Sequence, residues 1–165
     1  RDESGRISGN RWPQKECDLT RVNAFRASAT YTYFVRRPGS TVPLLFDETI
    51  GPGAGTPFGA GEDTDFMLTL MSHGARGRFC SARYICHPFK PYADTDRAWR
   101  YGGGFGRVLA KHSRPLLCIG LVTFDFARAV VRLFLGDRKR ASNLWAHGWG
   151  MIQAYFSTIS FTHKA

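Results

Sequence analysis

The apolar residues of this chain recur at helical spacing in three stretches, and residues that favour helix ends border them. Apolar side chains four positions apart predict a helix over 62–73, with Gly74 as its stop. A second helix is predicted over 94–112, although four glycines should loosen its middle. The third stretch is an apolar segment over 116–135, which Pro115 opens.

Two other runs predict strands, and a glycine-rich stretch lies between them. Residues 29–36 are rich in β-branched and aromatic side chains, and a short strand is predicted over 82–86. Five glycines and two prolines between residues 51 and 61 exclude a regular helix or strand. A long loop of fixed shape is predicted there, and function is expected in it because long structured loops are often functional.

The apolar segment at 116–135 is about 20 residues long, which in principle is enough to cross a bilayer. Asp125, Arg128 and Arg132 interrupt it at a spacing that places them on one helical face. A helix lying in the membrane interface is therefore favoured, with a spanning helix and an ordinary core helix as alternatives. Trp145 and Trp149, in the tail that follows, also suit a headgroup region.

Composition and charge narrow the choice of partners. Hydrophobic residues make up 43% of the 165, which supports a folded core in one domain and excludes disorder. The 23 Lys and Arg against 13 Asp and Glu give a formal charge of +10, which attracts polyanions. Many of the basic residues lie among apolar runs, and no nucleic-acid motif is present. The predicted partner is therefore an anionic membrane surface and not nucleic acid. The competing hypothesis is that the chain is a basic module that binds nucleic acid.

The glycine-rich stretch leads three carboxylates onto the start of the predicted helix at 62–73. These carboxylates belong to Glu62, Asp63 and Asp65. A carboxylate at a helix start is held ionised and in fixed geometry, as a general base requires when it removes a proton from a hydroxyl group. The simpler explanation is that these residues cap the helix and complement its dipole.

The wider pattern favours the catalytic explanation. Residues 46–74, FDETIGPGAGTPFGAGEDTDFMLTLMSHG, resemble family 2 inverting glycosyltransferases of the GT-A fold, in which an F-D-E segment, a glycine-rich loop and G-E-D-x-D precede a helix. Residues 82–88 look like the next strand of that family, which closes in His or in His-Pro. Residues 97–112 look like the R-x-x-R-Y-G and K-H segment of bacterial exopolysaccharide-type members. The resemblance covers residues 21–140.

The resemblance implies a role for each acidic residue that matches the motif. Asp63 falls on the catalytic base that deprotonates the acceptor hydroxyl group. Glu62 would hold the acceptor or orient the base, and Asp65 would support the loop by hydrogen bonding. Asp47 and Glu48, in the F-D-E segment, would support the acceptor side of the site.

Phosphate and metal contacts are implied as well. Arg97, Arg100 and Tyr101 fall near the diphosphate, and an arginine can donate two hydrogen bonds to a phosphate at once. A solvated or lipid-facing helix surface is the alternative for these arginines. His87 would contact the divalent metal, Mg²⁺ or Mn²⁺, on the sugar diphosphate, and a structural histidine is the alternative.

The nucleotide-binding half of such an enzyme, with its D-x-D metal motif, is not found upstream of residue 47. The predicted fold is therefore α/β: residues 1–112 as the acceptor-side, C-terminal half of a GT-A domain, and residues 113–165 as amphipathic helices. The predicted function is hexosyl transfer with inversion, from a nucleotide-sugar donor to a saccharide or lipid-linked saccharide acceptor. The chain is expected to be peripheral at the cytoplasmic membrane and inactive by itself, and an inactive remnant is the alternative.

Overall fold

Helices make up most of the described structure. The computed structural model describes residues 12–27, 29, 32, 34–36, 46–82, 85 and 94–162. Along these ranges the elements are β1 (Cys17–Asp18), α1 (Ala24–Ala27), α2 (Glu62–Ser72), β2 (Arg78–Phe79), α3 (Thr95–Lys111), α4 (Pro115–Phe134) and α5 (Arg138–Thr162).

The predicted α/β fold, half of a GT-A domain, is wrong, because the described residues contain no Rossmann-like sheet. β1 and β2 are two residues long and pair antiparallel. In the predicted strand at 29–36, the Thr32 N–H donates to the Ala29 carbonyl oxygen, and Phe34 is 95% exposed. The described part of that run therefore lacks the packed neighbouring strand on which strand stability depends. Most of the predicted strand at 82–86 lies outside the described residues.

The chain divides into two compact units. The first comprises Arg1–Phe46 and Asp63–Pro91, and the second comprises Asp47–Glu62 and Tyr92–Ala165. The two strands, α1 and nearly all of α2 belong to the first unit, and α3, α4 and α5 belong to the second. The predicted functional division between residues 112 and 113 stays a prediction, because compact units and functional segments need not coincide.

Short elements of the first unit are held by local hydrogen bonds and aromatic contacts. The Thr20 N–H donates to Asn23 Oδ1 at 2.6 Å, and the Asn23 N–H donates to Thr20 Oγ1 at 3.2 Å, just before α1. The buried ring of Phe66 on α2 stacks on Phe46 with centroids 4.4 Å apart. The helix predicted over 62–73 is confirmed, and Gly74 follows it with a φ of 88°.

In the second unit, α5 packs along both α3 and α4, whereas α3 and α4 have few contacts with each other. The Asp94 side chain caps α3 by accepting from the Arg97 N–H at 2.7 Å. Pro115 opens α4, and Gly136, with a φ of 75°, lies in the turn to α5. The predicted helix at 94–112 and the helical reading of the segment at 116–135 are both confirmed.

Glycines let α3 and α5 approach until their backbones touch. A Cβ atom added to Gly102 or Gly106 would overlap a backbone carbonyl oxygen of α5. In the same way, a Cβ atom on Gly150 of α5 would overlap the Trp99 carbonyl oxygen of α3. Gly102, Gly106 and Gly150 thus form a glycine seam between the two helices. The prediction that the glycines loosen α3 is wrong, because α3 runs unbroken over 17 residues. The glycines instead allow α3 and α5 to pack closely.

A partly buried polar pair joins α4 to α5. Asp125 lies in the buried stripe of α4, and its Oδ2 is 2.7 Å from Nδ1 of His147 on α5. A buried carboxylate needs such a partner, since an unpaired charge in a packed interior is strongly unfavourable. One charge that interrupts the apolar segment is therefore turned inward. No helix in the described ranges is both long and apolar enough to cross a bilayer.

Candidate catalytic site

The glycine-rich loop, residues 51–61, is docked on α3 through its backbone. The Gly59 N–H donates to the Arg100 carbonyl oxygen at 3.0 Å. A Cβ atom on Gly104 of α3 would overlap the Ala60 carbonyl oxygen, and one on Gly61 would come within 3.3 Å of the Gly104 carbonyl oxygen. The prediction of a loop is confirmed, and small residues on both sides permit its close contact with the helix.

Further contacts fix the shape of the loop. The Gly51 N–H donates to the Phe58 carbonyl oxygen at 2.7 Å, and the Thr56 hydroxyl donates to the Thr49 carbonyl oxygen at 2.7 Å. The Arg107 guanidinium of α3 lies over the Phe58 ring, 5.6 Å from its centroid. These contacts restrain the loop up to the point where α2 begins.

Gly61 turns the loop into α2 with a φ of 101°, a conformation that glycine adopts without strain. Glu62 and Asp63 follow in the first turn and are both partly exposed, whereas Asp65 is only 2% exposed. The partly exposed carboxylates lie where the helix dipole favours negative charge. Solvent can therefore reach Asp63, while Asp65 is closed off from it.

Asp47 is held in an ion pair within the second unit. Its Oδ2 lies 2.7 Å from Lys111 Nζ, and its Oδ1 accepts from the Thr49 N–H and hydroxyl at 3.0 and 2.6 Å. Partial burial raises the pKa of Asp47, but the hydrogen bonds from Lys111 and Thr49 outweigh it and lower the pKa to about 2. Asp47 therefore anchors the segment before the loop to the end of α3, and its neighbour Glu48 is exposed.

The residues predicted to contact the diphosphate lie together on α3. Arg97 donates to the Tyr101 hydroxyl from Nη2 at 2.7 Å and from Nε at 3.1 Å. Arg100 pairs with Asp96 one turn earlier, at 3.2 Å, and both side chains are mostly exposed. The backbone carbonyl oxygen of Arg100 also accepts from the Gly59 N–H of the loop, so Arg100 borders the loop. Their contact with a diphosphate stays a prediction.

The predicted metal ligand, His87, lies outside the described residues. Within the part of the chain that the structure describes, no group of three or more His, Cys, Asp or Glu side chains could hold a metal ion. The expected Mg²⁺ or Mn²⁺ therefore remains an expectation that rests on the motif resemblance.

The second unit also contains an aromatic groove of about 770 Å³ that the sequence pattern does not predict. Trp99, Trp145 and Trp149 line it, together with Asp96 and Leu133. The spacing of Trp145 and Trp149 by one helical turn was visible in the sequence. Their meeting with Trp99 was not, because it depends on how α3 crosses α5.

Comparisons with protein-family models, with curated proteins and with solved structures found no match to this chain.

Proposed function

We propose that this chain carries the acceptor-side segment of an inverting glycosyltransferase, with Asp63 as the general base. The supporting observation is the position of Asp63 in the first turn of α2, partly exposed and directly after a loop anchored on α3. A general base must be reachable by the acceptor hydroxyl group and held in place, and Asp63 meets both requirements.

The other carboxylates of the motif are less suited to proton abstraction. Asp65 is buried, and Asp47 is committed to Lys111 with a lowered pKa, which makes it a weaker base. The Glu62 carboxyl group lies beside Gly51, since a Cβ atom there would be 3.0 Å from it. Glu62 therefore suits a positioning role beside the loop.

The proposed reaction is a single in-line displacement at the anomeric carbon of the sugar donor. The acceptor hydroxyl oxygen forms the new C–O bond while Asp63 takes its proton. The bond from the anomeric carbon to the diphosphate oxygen breaks, and the nucleoside diphosphate leaves with that electron pair. When bound, a divalent metal would offset the charge that develops on the leaving group.

The test is Asp63→Asn in the natural protein that contains this segment, with transfer measured from a panel of radiolabelled nucleotide sugars. Loss of a general base lowers turnover by about 10²–10⁴-fold, with a smaller change in KM. The matched control is Asp18→Asn, the same substitution at an exposed position of β1, which should leave turnover unchanged. Turnover within about threefold of wild type in Asp63→Asn would remove Asp63 from the mechanism.

A further inference from the structure

We propose that the outer face of α4 binds the surface of an anionic lipid membrane, with the helix lying parallel to that surface. The outer face is the side opposite the buried stripe of Cys118, Val122, Asp125 and Ala129. It consists of Leu116, Ile119, Gly120, Thr123, Phe124, Ala127, Val130, Val131 and Phe134.

The outer face is apolar and open to solvent. Leu116 is 83% exposed and Phe134, at the other end of the helix, is 88% exposed. Ile119 and Val131 between them are also more than half exposed. Single exposed apolar residues are ordinary, but a face of this length marks an interaction surface.

All three charged residues of α4 lie off the outer face. Asp125 is in the buried stripe, and at 100° per residue Arg128 and Arg132 fall on one flank of the helix. The Arg128 guanidinium lies over the ring of Phe124, 5.3 Å from its centroid, at the border of the outer face. Arginines in this position can reach headgroup phosphates while the apolar residues enter the acyl boundary.

More basic residues follow at the C-terminal end of α4. Arg138 and Lys139 open α5 and are exposed. Over residues 126–140, which span the second half of α4 and the start of α5, five Lys and Arg stand against one Asp, with no Glu. This charge is complementary to anionic lipid headgroups, which attract basic residues next to an apolar helix face.

Charge also argues against a second copy of this chain as the occupant. A symmetric pair would bring the outer faces of two α4 helices together, and with them two sets of like-charged flanking arginines. Such juxtaposed positive charges oppose association, whereas the same charges favour an anionic surface.

The test is co-flotation of the 165-residue chain with vesicles. We expect the protein to float with vesicles that contain phosphatidylglycerol, and to float much less with pure phosphatidylcholine vesicles or at high salt. Phe134→Glu should weaken binding to the phosphatidylglycerol vesicles by about tenfold or more, since it places a charge in the apolar face. The matched control is Phe34→Glu, at a phenylalanine that is 95% exposed outside α4, which should lower binding by about twofold at most.

Three results would overturn the proposal. The first is absence of co-flotation with phosphatidylglycerol vesicles, and the second is an equal loss in the Phe34→Glu control. The third is a wild-type dimer in light scattering that Phe134→Glu converts to a monomer, which would assign the outer face to a second copy. Because the readout is lipid binding, its failure is separate from any failure of the proposed sugar transfer.

Discussion

In the first turn of α2, carboxylates two residues apart have different surroundings. Asp63 is partly exposed and Asp65 is buried. Helical geometry explains the difference, because side chains two positions apart point to different sides of a helix. The sequence could place both residues at a helix start, since glycine before acidic residues is a local pattern. Which of them remains accessible depends on the packing of α2, which the local pattern does not contain.

The Asp47–Lys111 pair should make stability depend on acid pH. The folded pKa of Asp47, about 2, lies below its ordinary value of 3.8. The pair therefore stabilises the fold above about pH 4, and this contribution is lost as the pH falls towards 2. Asp47→Asn should lower the free energy of unfolding by about 0.5–1 kcal/mol at pH 6, because the pair is partly exposed.

Urea unfolding of wild type and Asp47→Asn, repeated between pH 6 and pH 2.5, measures this effect. The difference between the two proteins should shrink at the acid end of the series. Glu48→Gln, at the exposed neighbouring residue, is the control and should track the wild type. A difference that stays constant down to pH 2.5 would show that the ion pair is not its cause.

At the scale of elements, the long helices α2, α3 and α4 were predictable, whereas the strands and the short helix α1 were not. The predicted ends of α2 and α3 lie within one residue of the observed ones, because caps such as Asp94 and stops such as Gly74 act locally. A strand instead needs a partner that is distant in sequence. The run at 29–36 has strand composition, but its described residues have no partner strand. The prediction that the glycines loosen α3 was also wrong. Their role depends on contacts with α5, which the local sequence of α3 does not show.

The glycine seam gives a prediction with an internal control. Gly102→Ala would drive a Cβ atom into the backbone of α5, and the two helices would have to separate. We expect the free energy of unfolding to fall by about 1–3 kcal/mol, as for overpacking in a closed core. Gly120→Ala, in the middle of α4, meets nothing within 4 Å and should be neutral or stabilising by up to about 1 kcal/mol.

Thermal and urea unfolding would measure the change in the free energy of unfolding for the two variants. They carry the same substitution in helical backbone, so helix propensity changes equally in both. If Gly102→Ala were as stable as Gly120→Ala, the close contact between α3 and α5 would not exist in solution.

At the scale of the whole molecule, the sequence predicted the helices of the second unit but not the fold class. The motif resemblance led to an α/β fold, and the described residues are mainly helical with one short antiparallel strand pair. Motifs such as G-E-D-x-D specify a loop and a helix start, and these are present. They do not specify a sheet, whose strands must come from other parts of a chain.

The expectation that the 165-residue chain is inactive by itself follows from the motif resemblance, since the D-x-D metal motif of the nucleotide-binding half is not found upstream of residue 47. We expect no sugar transfer from UDP-, GDP- or dTDP-sugars by this chain alone, and no heat of binding in calorimetry at micromolar concentrations. Transfer by the chain alone, abolished by Asp63→Asn, would show that it contains a donor site.

The glycine seam also limits which genetic changes this chain can tolerate. Every missense change in a glycine codon adds at least one carbon atom to the residue, so Gly102, Gly106 and Gly150 have no conservative replacement. Elsewhere in a core, exchanges such as leucine for methionine keep the volume nearly constant and are often accepted. After random mutagenesis and selection for folded protein, missense changes should therefore be rare at these three codons. At the codon of Gly120 they should be common.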